Sequence, residues 1–426
     1  MTSYGQSLLI TIVIIIFTPQ VWAQHNSDSP TNGININSLV EAALESNPHL
    51  ITMRREFDAA RARIPQAKAL PDPVISLGHT TVSDPIPFTG LSDDFNDFSL
   101  GFSQELPWFG VRRLRGEVAS SEAEAKFQEY HVARQQLASE VKIAAYELYY
   151  FDRALYIVQR DLEILKKFAT VAEIRYSVGK AQQTDVINAR VEITELLDQQ
   201  GELEAKRASA VAHINNLLYR DPETLIESLA EIHLSPLPAS LEDLILLARE
   251  KAPELQQQKR LIDASNHGLR LAEREAKYPE VGLNFTYHKR INFADYYTYG
   301  IALKLPLYAF TKQRYAIAEQ AANLAAAHSR LASTDALILY KLKDSLVRAR
   351  AAERLIKLHT EGILPQATLA LESAMAGYEV GQLDFLTLLT TLKRALDYET
   401  RYYELLTNYQ KSLAEMEIYV GIDLTK

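Results

Sequence analysis

Between Leu137 and Leu165 the apolar residues of this chain alternate steps of four and three: Leu137, Val141, Ala144, Leu148, Phe151, Leu155, Val158, Leu162 and Leu165. That spacing gathers them into one narrow seam along a helix, the pattern of a coiled coil, and leaves the other faces polar. The stretch from Glu117 to Val178 holds 62 residues without a Gly or Pro. A continuous helix there would run about 93 Å at 1.5 Å per residue, far longer than a globular helix. A second such stretch extends from Thr311 to Glu361, and Pro365 beyond it is expected to kink or break the helix. Its shorter partner carries Phe385, Leu388, Leu392, Ala395, Tyr402, Leu406, Tyr409, Leu413 and Met416, interrupted only by Glu399. An ordinary soluble coiled coil would show the same periodicity.

Elsewhere the period changes to two. Val281, Leu283, Phe285 and Tyr287 alternate with Gly282, Asn284, Thr286 and His288, which predicts a strand apolar on one face. Similar runs, Pro73 to Val82 and Asp97 to Leu106, flank a polar loop with Pro85, Pro87 and Gly90, and Tyr296 to Leu305 completes a second pair. Each run approximates the 9 to 11 residues of a tilted membrane strand. Trp108, Phe109, Tyr296, Tyr297, Tyr299, Tyr308 and Phe310 collect at their ends, as an interfacial girdle would. Four strands cannot close a barrel, and an open edge in lipid leaves backbone groups unpaired, so closure would need several chains. Three copies would give twelve strands. Soluble hairpins capping a helical domain are the alternative.

The chain reads through this plan twice. Asn47-Pro48 is echoed by Ala252-Pro253, Leu106-Pro107 by Leu305-Pro306, and Tyr176-Ser177-Val178-Gly179 by Tyr378-Glu379-Val380-Gly381, at offsets of 205, 199 and 202. Three anchors in one order at near-constant spacing indicate an internal duplication. The predicted fold class is mostly α with a small β part, built from a duplicated helix, β-hairpin, long helix, helix unit. The first repeat spans residues 24–218, with strands at about 73–106, a long helix at about 112–178 and a helix at about 182–218. A Pro-rich linker at 219–240 joins it to a second repeat at 241–421, with strands at about 281–305, a long helix at about 311–380 and a helix at about 382–420.

Composition narrows the function classes. The 426 residues carry a formal net charge of -9, which argues against nucleic acid as the main partner, since phosphate binding wants clustered Lys and Arg. There is no Cys, so disulfides, thiolate metal sites, thiol nucleophiles and an N-terminal lipidated Cys are excluded. Residues 1–23 hold the uncharged apolar run Leu8 to Phe17 and end in Val21-Trp22-Ala23, which reads as a signal peptide cut after Ala23. An uncleaved anchor is the other reading, because no Lys or Arg precedes the run. No catalytic pattern emerges. Gly179-Lys180 lacks the upstream Gly and following Ser or Thr of a phosphate loop, and no His-Glu-x-x-His or Gly-x-Ser-x-Gly is present. His49, His131, His213 and His328 sit on helical stretches without a second ligand at i+4. The expectation is a non-enzymatic protein without cofactor or bound metal.

On Pro71-Asp72-Pro73 before the first strand, Leu106-Pro107 and Leu305-Pro306 after each hairpin, the two Tyr-x-Val-Gly turns, and Thr184-Asp185-Val186 with Asn188-Ala189-Arg190, the chain resembles the TolC-type outer-membrane efflux proteins from about Ser38 to Gly421. The resemblance implies a homotrimer in the outer membrane of a Gram-negative bacterium: a 12-strand β-barrel continued into an α-helical barrel, with most of the mass in the periplasm. As the exit duct of an efflux system, its partners would be outer-membrane lipid, a periplasmic adaptor protein and an inner-membrane pump of resistance-nodulation-division type. Pro71-Asp72-Pro73 is similar to the branch serving heavy-metal and related pumps, though the lipidated Cys of many members there is missing. A type I secretion duct shares the fold. A periplasmic coiled-coil adaptor would instead carry one hairpin with lipoyl-like and barrel domains.

The resemblance also implies sites. The turns Val178-Gly179-Lys180 and Val380-Gly381-Gln382 would dock the adaptor, and a closing lock would join Asp185 to Tyr378. The Arg expected as the lock's third member is Leu383 here, and the lumen-facing pair of aspartates falls on Thr387 and Thr390, which implies a less acidic constriction unless Asp384 or Asp185 substitutes.

Overall fold

The computed structural model describes residues 33–81, 96–237 and 240–425. The expected signal peptide, the loop residues Pro85, Pro87 and Gly90, and Pro238 of the linker lie outside the described residues.

Each repeat opens with two helices rather than the one expected: α1 (Ile36–Ser46) and α2 (Pro48–Lys68), then α5 (Leu241–Lys251) and α6 (Pro253–Lys277). The breaks fall at Asn47-Pro48 and Ala252-Pro253 for a local reason. A proline nitrogen cannot donate to the preceding turn and suits the first position of a new helix. Asn47 caps the restart by accepting from the His49 N–H at 2.9 Å, and its own amide donates to the Leu217 carbonyl at 3.0 Å.

The strands β1 (Val74–Thr80), β2 (Asp97–Leu106), β3 (Glu280–Arg290) and β4 (Tyr296–Lys304) form one antiparallel sheet in that order. β2 of the first repeat pairs with β3 of the second, so the duplication is fused at the sheet. The register lines up Ile75, Phe102, Phe285 and Tyr299 across all four strands, and next to them Leu77, Leu100, Tyr287 and Tyr297. Rows between them hold Ser76, Gly101, Thr286 and Thr298. The result is an apolar face and a polar one. Leu77 is 84% exposed and Ile301 74% exposed, too much for a face meant for water. No helix among the described residues is long and apolar enough to cross a membrane.

Below the sheet, α3 (Val111–Ser177) runs unbroken for 67 residues, about 100 Å at the α-helical rise, and α4 (Gln183–Leu217) returns beside it. The second repeat is more broken. A π-helical turn at Ala309–Gln313 leads into α7 (Arg314–Leu358), a second π-helical turn covers His359–Ile363, and α8 (Leu364–Glu379) and α9 (Phe385–Val420) follow. Pro365 sits at the start of α8, where it removes the donor that would have reached back to Glu361. The helix is therefore interrupted at this proline without turning back.

The heptad seam of α3 is buried from Leu137 to Leu165, with Phe151 half-buried. It feeds two apolar clusters. One lies midway along the molecule around Val141, Leu148, Ile214, Leu342, Leu346, Tyr409 and Leu413; the other lies nearer the far end around Ile157, Leu165, Ala189, Leu388 and Leu392. Truncating a fully buried leucine such as Leu148 to Ala would cost about 2 to 5 kcal/mol. Beside the first cluster, Lys142 donates to Glu417 and to Asp423, each at 2.7 Å, which fastens the C-terminal segment onto α3.

Candidate functional site

At the end of the helices away from the sheet, both repeats make the same turn. After α3 the Lys180 N–H donates to the Arg175 carbonyl at 2.8 Å and the Gly179 N–H to the Tyr176 carbonyl at 2.9 Å. After α8 the Gln382 N–H donates to the Gly377 carbonyl at 2.8 Å and the Gly381 N–H to the Tyr378 carbonyl at 3.0 Å. Both are Schellman motifs, and both require a left-handed residue: Gly179 has φ +70° and Gly381 φ +78°. A side chain at either position would be strained. The repeated Tyr-x-Val-Gly is thus a helix stop signal whose glycine is required by backbone conformation.

The helices that leave these turns start differently. Asp185 is the third residue of α4 and its carboxylate accepts from the Gln182 N–H at 3.4 Å. In α9 the acid has moved to the cap itself: Asp384 accepts from the Thr387 N–H at 2.8 Å. Hydrogen bonds from the Thr387 hydroxyl and backbone hold the Asp384 carboxyl below the usual carboxylate range. Thr387 and Thr390 are both exposed, and the Thr390 hydroxyl donates to the Thr387 carbonyl at 3.0 Å.

Tyr378 is buried at the end of α8, edge-on to Phe168 and Phe385 with ring centroids 6.0 and 5.6 Å away. Its hydroxyl makes no hydrogen bond among the described residues, and no bond joins it to Asp185 within the protomer. Burial pushes the phenol above its usual range; Arg175 opposes that shift and Asp185 adds to it. Leu383 points toward Gly377, where it packs against the apolar cluster instead of presenting a charge.

The residue that sequence reasoning missed is Arg175, in the last turn of α3. Its Nη1 donates to the Tyr378 carbonyl at 2.6 Å and its guanidinium lies 5.1 Å from the Tyr378 ring centroid. One signal was available. The residue before the tyrosine differs between copies, Arg175 in the first and Gly377 in the second.

Around both turns the surface is apolar: Val178 is 62% exposed and Val380 71% exposed, with Ile174, Tyr176, Ile187 and Leu386 also exposed. Lys180 and Gln382 are exposed beside them. The arrangement presents two matched knuckles crested by Val178 and Val380, the first carrying the charge of Lys180 where the second has the uncharged Gln382. Among the described residues no group of three or more His, Asp or Glu is placed to hold a metal ion.

Residues 39–218 match the sequence model of the outer membrane efflux protein family. No curated protein sequence matches the chain. Solved structures with a similar fold include the outer membrane protein VceC of Vibrio cholerae, at 18% identity and TM-score 0.77 over 91% of this chain and 96% of that one. The CmeC outer membrane channel of Campylobacter jejuni is 16% identical, with TM-score 0.78 over 100% of this chain and 95% of that one. The open state of the MtrE outer membrane channel of Neisseria gonorrhoeae is 17% identical, with TM-score 0.77 over 92% of this chain and 90% of that one.

Proposed function

We propose that this chain, an outer membrane efflux protein by the sequence of residues 39–218 and by its fold, is one subunit of a homotrimeric exit duct that conducts substrates passively through periplasm and outer membrane. The observation that carries this reading is the four-stranded sheet, apolar on one face and with the outer edges of β1 and β4 unpaired among the described residues, set on a helix about 100 Å long. Such a sheet is stable in lipid only when other copies supply its edges. Three copies give twelve strands, enough for an open bore.

The far turns then face the inner membrane. Val178, Gly179, Lys180, Val380, Gly381 and Gln382 dock a periplasmic adaptor, which joins the duct to a pump of resistance-nodulation-division type. Asp185, Tyr378, Leu383, Asp384, Thr387 and Thr390 line the gate beside them. No catalytic group is invoked.

The test is assembly and conduction. Native mass spectrometry of the mature protein in detergent should give a trimer, and planar bilayers should show discrete channels. A monomer that inserts and conducts alone would overturn the reading.

A further inference from the structure

Arg175, in the last turn of α3, caps a helix other than its own. It lies on the first hairpin, yet its polar contact is with the second. Nη1 donates to the Tyr378 carbonyl at 2.6 Å, an acceptor that also takes the Gly381 N–H at 3.0 Å. That carbonyl belongs to the last turn of α8, where unsatisfied acceptors collect the negative end of the helix dipole, so a cation is stabilised there. The guanidinium also lies 5.1 Å from the Tyr378 ring centroid, close enough for cation–π attraction.

The duplication supplies an internal control. A Cβ built on Gly179 would meet nothing within 4 Å, whereas one built on Gly381 would come 2.6 Å from Nη2 of Arg175. Both glycines are needed for their positive φ, but only the second turn is overlaid by a side chain from the other hairpin. Leu383 meanwhile turns toward Gly377, so the second turn holds no cation of its own at that position.

We infer that Arg175 is a positioning residue that ties the second turn to the first across the hairpins, so that the aperture at this end opens only when its hydrogen bond to the Tyr378 carbonyl breaks. The inference rests on the duct reading above. Lysine cannot replace the arginine fully, because a guanidinium offers a planar fork that can bond the carbonyl and lie on the ring together.

The experiment compares wild-type trimer with R175A, R175Q and R175K in planar bilayers, and follows hydrogen exchange at the amides of residues 380–383. R175A and R175Q should shift the closed-to-open ratio by roughly tenfold per protomer, the scale of a charge-assisted hydrogen bond at a half-buried site. R175K should recover part of the closure, and exchange at 380–383 should rise in R175A and R175Q only. A purely packing role would leave R175Q and R175K alike, since both keep an unbranched aliphatic stem over the Tyr378 ring. If R175A fails to assemble, R175Q and R175K decide the matter between them. Wild-type conductance and exchange in R175Q would overturn the inference while leaving the duct intact. A wild-type protein that forms no trimer and no channel would instead sink the duct reading.

Discussion

Glu399 accepts from both terminal nitrogens of Arg160, at 3.1 and 2.7 Å, across the interface between α9 and α3. This pair explains the one charge in an otherwise apolar stripe. Arg160 also donates through Nε to Asp161 at 2.9 Å, so the two carboxylates share one guanidinium.

Replacing Glu399 by Ala should therefore leave a partly buried cation with half its acceptors. We expect a loss of about 1 to 3 kcal/mol, read as a lower thermal midpoint of the solubilised protein, with Glu399→Gln losing less. An Ala variant as stable as wild type would show that the pair is solvent-screened.

The two turn glycines should differ in sensitivity. Gly179→Val and Gly381→Val each force a β-branched residue into φ near +70°, at about 1 to 3 kcal/mol locally. Both should insert in the membrane and fail in export. Gly381→Ala should be the more harmful of the two alanine changes, because its methyl meets Arg175 whereas the methyl at 179 meets open space. Export by both valine variants at wild-type levels, measured on whichever cargo the wild-type duct carries, would remove these turns from the docking surface.

At the gate, Asp185→Ala removes the acceptor of the Gln182 N–H at the start of α4 and should raise single-channel conductance, whereas Tyr378→Phe should leave conductance near wild type. The Tyr378 hydroxyl is buried without a hydrogen bond, so its removal should change stability by no more than ~1 kcal/mol. On the proposed gate, where Thr387 and Thr390 take the place of acids, trivalent cations should block weakly, since a hydroxyl offers them no charge. Tight block surviving in Asp185→Ala would point to Asp384 as the lining acid.

Alkaline pH should unfold the helical part sharply. Burial pushes the phenols of Tyr146, Tyr403 and Tyr409 from 10.0 up to about 12. Above pH 10 the unfolded chain releases these protons and the folded chain does not, so their contribution is intact below pH 10 and lost as pH rises toward 12. Ultraviolet titration should show them ionising together with loss of helical circular dichroism. Reversible ionisation near pH 10 with the helices intact would contradict this.

Much of the architecture was legible because it is written in local periodicity. The steps from Leu137 to Leu165 report one face of one helix, and the alternation from Val281 to His288 reports one strand. Pro365 announced a disturbance, but not its form, a π-helical turn at His359–Ile363 that lets the helix continue into α8. What stayed hidden is contact between repeats. Arg175 and Tyr378 are 203 residues apart, and neither carries a pattern that names the other. Glu399 was visible as an anomaly, and only its partner made sense of it.

The unpaired outer edges of β1 and β4 have a genetic consequence. In a trimer, a fault in either strand is passed to whichever copy lies beside it. A cell making wild-type and edge-defective chains in equal amounts, with random mixing, would hold only about one wholly wild-type trimer in eight. Lesions in these two strands should therefore be dominant over the intact allele, whereas a chain that never folds its helices never joins a trimer and should be recessive.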